Sequence, residues 1–177
     1  MEELLKPKAA DEVVVESRGQ SIQLIVFKLG KEEYGLNISQ IKEVVPTPPI
    51  TGLPQTPPYI KGVANIRGKV IAMVDLMEKL GLHTENSAEN ICFGYSLVVE
   101  SEDLHMGILV HALPNTLTVY EADLCDPVMV FQDNADHSYI KGIVKQRHGL
   151  LMYIDILRVM EMETHAPVRK EVDTEEK

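Results

Sequence analysis

The stretch Tyr59-Ile60-Lys61-Gly62-Val63-Ala64-Asn65-Ile66-Arg67-Gly68-Lys69-Val70-Ile71-Ala72-Met73-Val74-Asp75-Leu76 decides how this chain is read. Its apolar and β-branched residues run up to a two-residue break, Arg67-Gly68, and run away from it again. That is the pattern of a β-hairpin, with Ile60 to Ile66 as one strand and Val70 to Val74 as the return. Asp75 then stands before Leu76-Met77-Glu78-Lys79-Leu80-Gly81. This supplies an N-cap, a glutamate at the third helical position and a glycine stop, so a short helix follows the hairpin.

The same segment recurs without a gap 80 positions later, Tyr59–Leu80 matching Tyr139–Met160. Tyr-Ile-Lys-Gly opens both copies, Arg67 aligns with Arg147 and Asp75 with Asp155, and most other pairs exchange one apolar residue for another. The second hairpin is read as Ile140 to Lys145 and Leu150 to Ile154 with His148-Gly149 near its turn, and a second helix as Ile156 to Glu163. A fainter match at an offset of 72 sets Val26, Gly35 and Val44 opposite Val98, Gly107 and Thr116. A duplicated pattern predicts two similar units that share or abut a core, with a seam between them where partners bind.

The remaining segments agree with a mainly β chain. Gln23 to Phe27 and Tyr34 to Ile38 flank a turn signal around Gly30. Ser39 to Val45 reads as one helical turn running into a strand that Pro46 stops, and Leu97–Val99 and Met106–Val110 form another hairpin. Residues 46–58 hold six of the ten prolines and form a stiff, extended connection. Residues 83–90 read as a polar loop and 121–138 as a longer one. Each half of the chain thus carries four or five short strands and one short helix, which gives two small barrels. The core spans residues 20–162. It is flanked by a flexible arm, residues 1–19, in which Val13-Val14-Val15 adds as an edge strand, and by a flexible acidic tail, residues 163–177.

The formal net charge is −10, and the ends carry about half of it. Residues 1–20 hold five acids against three bases, and residues 161–177 six against three. A chain with this balance lacks the basic face that nucleic acid or an anionic membrane requires, and no apolar run is long enough to span a bilayer. Cys92 and Cys125 stand alone, without metal-ligand spacing, and read as reduced, mostly buried thiols of a cytoplasmic protein, with a single disulfide in an exported protein as the alternative.

Catalytic patterns are missing. Asp75 and Asp155 are explained as helix caps rather than as a carboxylate pair. Asp136-His137-Ser138 holds the three triad residue types as sequence neighbours, whose side chains point apart. The six histidines show no metal-binding spacing, and His111, after the strand ending at Val110, reads as a partly buried structural residue. No metal or cofactor is expected. An enzyme with a dispersed site, such as a hydrolase, is the remote alternative.

Binding is the stronger reading. Arg67 sits at a hairpin tip with Asn65, Ile66 and Gly68, where its guanidinium either meets a partner carboxylate or simply stays solvated. Ile41, Glu43 and Val45 alternate along a strand and would share one face, as a binding edge or as the border of the core. Gly62 leaves room for a partner, but Gly142 repeats it, which favours a bulge or a close strand crossing.

Over roughly residues 20–162 the chain resembles the CheW-type chemotaxis coupling proteins. The residues that carry the resemblance are Phe27-Lys28-Leu29-Gly30, Glu33-Tyr34-Gly35-Leu36, Ile41-Lys42-Glu43-Val44, Thr56 to Gly68 with its Gly-Val-x-Asn-Ile-Arg-Gly block, and Val74-Asp75-Leu76. The resemblance implies two five-stranded SH3-like barrels around a shared core, with short helices. It also implies a non-enzymatic adaptor that joins the cytoplasmic tips of methyl-accepting chemoreceptors to the regulatory domain of the histidine kinase CheA, and so is recruited to membrane-associated arrays. Arg67 matches the family arginine of assembly, Glu43 and Ile41 match receptor-contact positions, and Gly62 matches a sensitive glycine. The chain departs from the family at Val110-His111-Ala112-Leu113-Pro114 and at the second turn, Lys145-Gln146-Arg147-His148. The same fold serves swimming, twitching and other chemosensory arrays, so a coupling module of a non-flagellar pathway is the alternative. With no receiver domain following, a CheV-type fusion is not expected.

Overall fold

A computed structural model describes residues 18–82, 92–102, 104–129 and 137–162. The arm before residue 18, the loop 83–91 and the tail after 162 lie outside the described residues, and with them the expected edge strand at Val13–Val15.

The strands in chain order are β1 (Ser21–Leu29), β2 (Glu32–Asn37), β3 (Ile41–Pro46), β4 (Ile60–Ile66), β5 (Lys69–Val74), β6 (Tyr95–Glu100), β7 (His105–Val110), β8 (Asn115–Tyr120), β9 (Leu124–Cys125), β10 (Ile140–Gln146) and β11 (Gly149–Ile154). Helix α1 (Leu76–Lys79) follows β5, and α2 (Ile156–Glu161) follows β11. One sheet has five strands in the order β3-β6-β7-β5-β4. The other has six, β8-β1-β2-β11-β10-β9, the last being only two residues long.

The sheets do not follow the two halves of the sequence. Each sequence repeat runs hairpin, single strand, hairpin, helix, and the leading hairpins are exchanged. The first, β1–β2, joins β8 and the second repeat's β10–β11, while β6–β7 joins β3 and the first repeat's β4–β5. The exchange is reciprocal and keeps register. Val44 pairs with Leu97, and its counterpart Thr116 pairs with Ile25. Gly107 lies beside Met73 in one parallel pairing, and Gly35 beside Tyr153 in the other. The offsets of 72 and 80 in the sequence are therefore both structural equivalences.

The pleat sends successive side chains to opposite faces, and here both faces are buried. In β1, Leu24 and Val26 enter the interior of the six-stranded unit with Val144, Leu151 and Tyr153. Ile25 and Phe27 point the other way, into a cluster shared by both units that includes Leu36, Leu97, Val99, Ile108, Leu76 and Ile156. Val98 and Leu109 alternate out of that shared cluster into the five-stranded unit, against Ala64, Ile66, Ile71 and Met73. Two-sided burial explains why these strands read as continuous apolar runs rather than as alternating ones. Each fully buried chain of this size contributes about 1.5–3 kcal/mol before entropy is counted.

The helices cap as the sequence indicates. Asp75 accepts from the Met77 and Glu78 amides at 3.0 and 3.4 Å, and Asp155 from the Leu157 amide at 3.0 Å. Gly81, at φ 65°, ends α1. The second helix stops at Glu161, short of the expected Glu163. Lys79 is buried, and its amine donates to the Met162 carbonyl at 2.6 Å across 83 residues of sequence, tying the end of α2 to α1.

Candidate functional site

The β4–β5 hairpin turns on Arg67 and Gly68, both left-handed, with φ of 51° and 83°. This is the twist that a two-residue hairpin needs, and glycine or asparagine supplies it without steric cost. An arginine at the first of these positions costs about 1 kcal/mol or more. Among the described residues only Gln55 shares a positive φ with Arg67 outside glycine. The side chain of Asn65 secures the turn by accepting from the Gly68 amide at 2.8 Å.

The turn projects Arg67 across the open end of the five-stranded sheet to Glu43 on β3, where Nε donates to Oε2 at 2.7 Å. The arginine side chain is 77% exposed and the glutamate 19%. β3 and β4 are the two edge strands of that sheet, so the ion pair spans its edges. The proline-rich connection closes the gap further along. Thr51 and Val63 exchange backbone hydrogen bonds of 2.8 and 2.9 Å.

Beside this pair lies a shallow depression lined by Ile66, Ile71, Val98 and a set of charges. Glu100, at the end of β6, accepts from Lys42 of β3 and from Lys69 of β5 at 3.1 Å, and His105 of β7 stands 3.7 Å away. These two ammonium groups hold the Glu100 carboxyl down to about 2, and the hydrogen bond to Glu100 raises Lys42 in turn. The sequence did not single out Glu100, Lys42, Lys69 or His105. Each ends or flanks an apolar strand run, an ordinary place for a surface charge, and only the pairing of β3, β6, β7 and β5 brings them together.

The candidates from the sequence are distributed unevenly. Arg67, Glu43 and Asn65 gather at the tip. Ile66 and Val45 lie behind them, against the interior of the five-stranded unit. Ile41 does not share a face with Glu43 and Val45. A register shift between Ile41 and Glu43 breaks the alternation, so Ile41 and Val44 pack on the shared core instead. Gly62 is buried at a second register shift, at φ 143°, and a methyl group there would overlap the Thr51 carbonyl. Its local role is to let the proline-rich connection cross β4.

The second unit has an equivalent mouth with different chemistry. At the positions of Glu43, Glu100 and His105 it carries Asn115, Lys28 and Glu33, which line a wider cleft of about 370 Å³ with Val26, Phe27 and Leu113. Its hairpin turns on Arg147-His148, within the turn expected at residues 145–148, with Gln146 pairing with Gly149. No carboxylate pairs with Arg147 among the described residues, since the position of Glu43 holds an asparagine here.

Two further expectations, for His111 and for the cysteines, change, while the two cap aspartates hold their expected role. His111 is exposed rather than partly buried, stacked on Phe93 with ring centroids 5.1 Å apart. Cys92 is exposed and Cys125 half-buried, both as free thiols. Asp75 and Asp155 act as caps and pair with Lys61 and Lys141 at 3.6 and 3.5 Å. Among the described residues no three side chains cluster as metal ligands, and no helix is long and apolar enough to cross a membrane.

Comparison with known proteins bears on the family and the fold. The model of the CheW-like domain matches residues 23–164. The chain is 34% identical over 148 residues to the chemotaxis protein CheW of Helicobacter pylori, covering 83% of this chain and 84% of that one. It is 30% identical over 142 residues to chemotaxis protein CheW of Bacillus subtilis, covering 80% and 88%. The crystal structure of the scaffolding protein TtCheW from Thermoanaerobacter tengcongensis superposes with a TM-score of 0.65 at 27% identity, covering 82% of this chain and 91% of that one. The two-sheet fold and these matches together place the chain in the CheW-like family of chemotaxis coupling proteins.

Proposed function

We propose that this protein is a non-enzymatic scaffold that binds both the cytoplasmic tip of methyl-accepting chemoreceptors and the regulatory domain of the histidine kinase CheA, in the cytoplasm beneath a receptor array. The observation that carries the reading is Arg67. The chain accepts an unfavourable backbone conformation there, and the result is an exposed guanidinium held by one bond through Nε. Its two remaining nitrogens form the edge that takes a partner carboxylate in a paired geometry. A side chain that is strained, exposed and oriented is better explained by a partner than by the stability of the free fold.

Affinity for each partner is expected to be modest, because an array gains strength from many weak contacts. The test is an NMR titration of the labelled protein with the CheA regulatory domain and, separately, with a receptor signalling tip. Two distinct sets of shifted signals, one of them including Glu43 and Arg67, support the proposal. A well-folded sample that responds to neither partner rejects it.

A further inference from the structure

We propose that Glu100 is a positioning residue for the Arg67 tip: it binds Lys42 and Lys69, keeps both ammonium groups off Glu43, and so leaves Glu43 to hold Arg67. The inference rests on the reading of Arg67 as a docking element and extends it to a residue that touches Arg67 only through others.

Three permanent cations, Lys42, Arg67 and Lys69, share one depression with two carboxylates, Glu43 and Glu100. Lys42 adjoins Glu43 in sequence, and Lys69 lies two residues beyond Arg67, on the strand that the turn feeds. Glu43 sits opposite Val98 in the β3–β6 pairing, and Glu100 follows two residues later on the same face of β6. Both carboxylates and both lysines line the same depression. The lysines are found on Glu100, one of them at 3.1 Å, while Arg67 has Glu43 at 2.7 Å.

Lysine ammonium is a compact charge on a flexible stem and pairs in many directions, whereas the planar Arg67 guanidinium leaves from a turn whose backbone is set in the left-handed region and needs a directed contact. If Glu100 is neutralised, three cations face one carboxylate, and the more mobile lysines displace the arginine. The second unit offers an internal contrast. It lacks both carboxylates, with Lys28 and Asn115 in their places, and there Arg147 is held by no acid among the described residues.

The test uses the full chain and reads the Arg67 Nε–Hε signal by NMR, assigned by its loss in Arg67→Lys. Glu100→Gln is expected to move that signal toward its position in Glu43→Gln, and to weaken binding of the CheA regulatory domain or receptor tip about fivefold, the worth of one exposed ion pair. Adding Lys42→Met and Lys69→Met to Glu100→Gln removes the competitors and is expected to restore both the signal and the affinity. An Arg67 signal unmoved by Glu100→Gln overturns the proposal, as does a moved signal that the two methionines fail to restore. Because the signal is read without any partner, failure of the docking reading shows itself separately, as a wild-type chain that binds neither partner.

Discussion

Arg67 and Glu43 join the two edges of one sheet: a turn residue between β4 and β5 reaches a strand four places away in the sheet order, at 2.7 Å. The contact is exposed on the arginine side, so it contributes little to folding. An exposed pair is worth roughly 0–1 kcal/mol, comparable to the conformational cost of the left-handed arginine. The pair fixes a direction for the guanidinium more than it stabilises the fold.

That balance separates stability from binding. Arg67→Gly relieves the backbone and removes the ion pair, so the unfolding free energy is expected to change by less than about 1 kcal/mol. Arg67→Asp places a second carboxylate beside Glu43 and is expected to leave the fold intact while lowering kinase activation in receptor membranes. Denaturant unfolding and an activation curve check the two halves. A large loss of stability in Arg67→Gly, or an unaltered activation curve in Arg67→Asp, counts against the assignment.

The two bulge glycines make a contrasting pair. Gly62 combines φ 143° with a backbone oxygen in the space a methyl group would need, and backbone yields poorly. Gly62→Ala is expected to cost about 3 kcal/mol or more and to displace the proline-rich connection. Gly142 has an ordinary φ, and its nearest obstacle is the Leu124 side chain at 3.0 Å, which moves. Gly142→Ala is expected to cost about 1 kcal/mol. Equal melting temperatures for the two variants would show that the Thr51 crossing does not constrain Gly62.

What the sequence showed and what it hid follow from the range of the interactions. The hairpins, caps and turn glycine rest on residues close in the chain, so Arg67-Gly68 and Asp75 could be read directly. The reciprocal exchange of β1–β2 and β6–β7 could not, because a repeat at an offset of 72 or 80 states which segments are alike and not which ones pair. The strip Ile41, Glu43 and Val45 failed as one face because a single extra residue in β3 inverts the alternation, and no glycine or proline marks it. Glu100 and the charges around it come from four strands, β3, β5, β6 and β7, of which only β6 and β7 adjoin in sequence. Nothing in the sequence around any one of them sets it apart from an ordinary charge beside an apolar run.

Tyr34 sets an alkaline limit. Burial in the shared core, then Tyr139 and Glu32, push its phenol up to about 12. A raised folded-state value means that the neutral phenol's contribution is intact below the ordinary value of 10 and is lost as the pH climbs through 12. The difference of two units corresponds to about 3 kcal/mol at most. Wild-type stability is therefore expected to fall between pH 10 and 12 more steeply than that of Tyr34→Phe, in denaturant melts followed across that range. Parallel curves would place the alkaline sensitivity elsewhere.

Glu100 sets the corresponding acid behaviour at the surface. Its carboxyl is held at about 2, against an ordinary 4.5, by hydrogen bonds from Lys42 and Lys69. A lowered folded-state value means that the stabilising contacts are complete above about pH 4.5 and are lost as the pH falls through 2. A carbon-detected titration of the Glu100 carboxyl is expected to show a midpoint well below 4.5 in the wild-type chain, moving up toward 4.5 in Lys42→Met with Lys69→Met. High salt is expected to raise the wild-type midpoint as well, because the cluster is open to solvent and its charges are screened. A wild-type midpoint near 4.5 would mean that the lysines do not reside on Glu100 in solution. They would then be free to compete for Glu43, and Arg67 would lose the orientation on which its docking role depends.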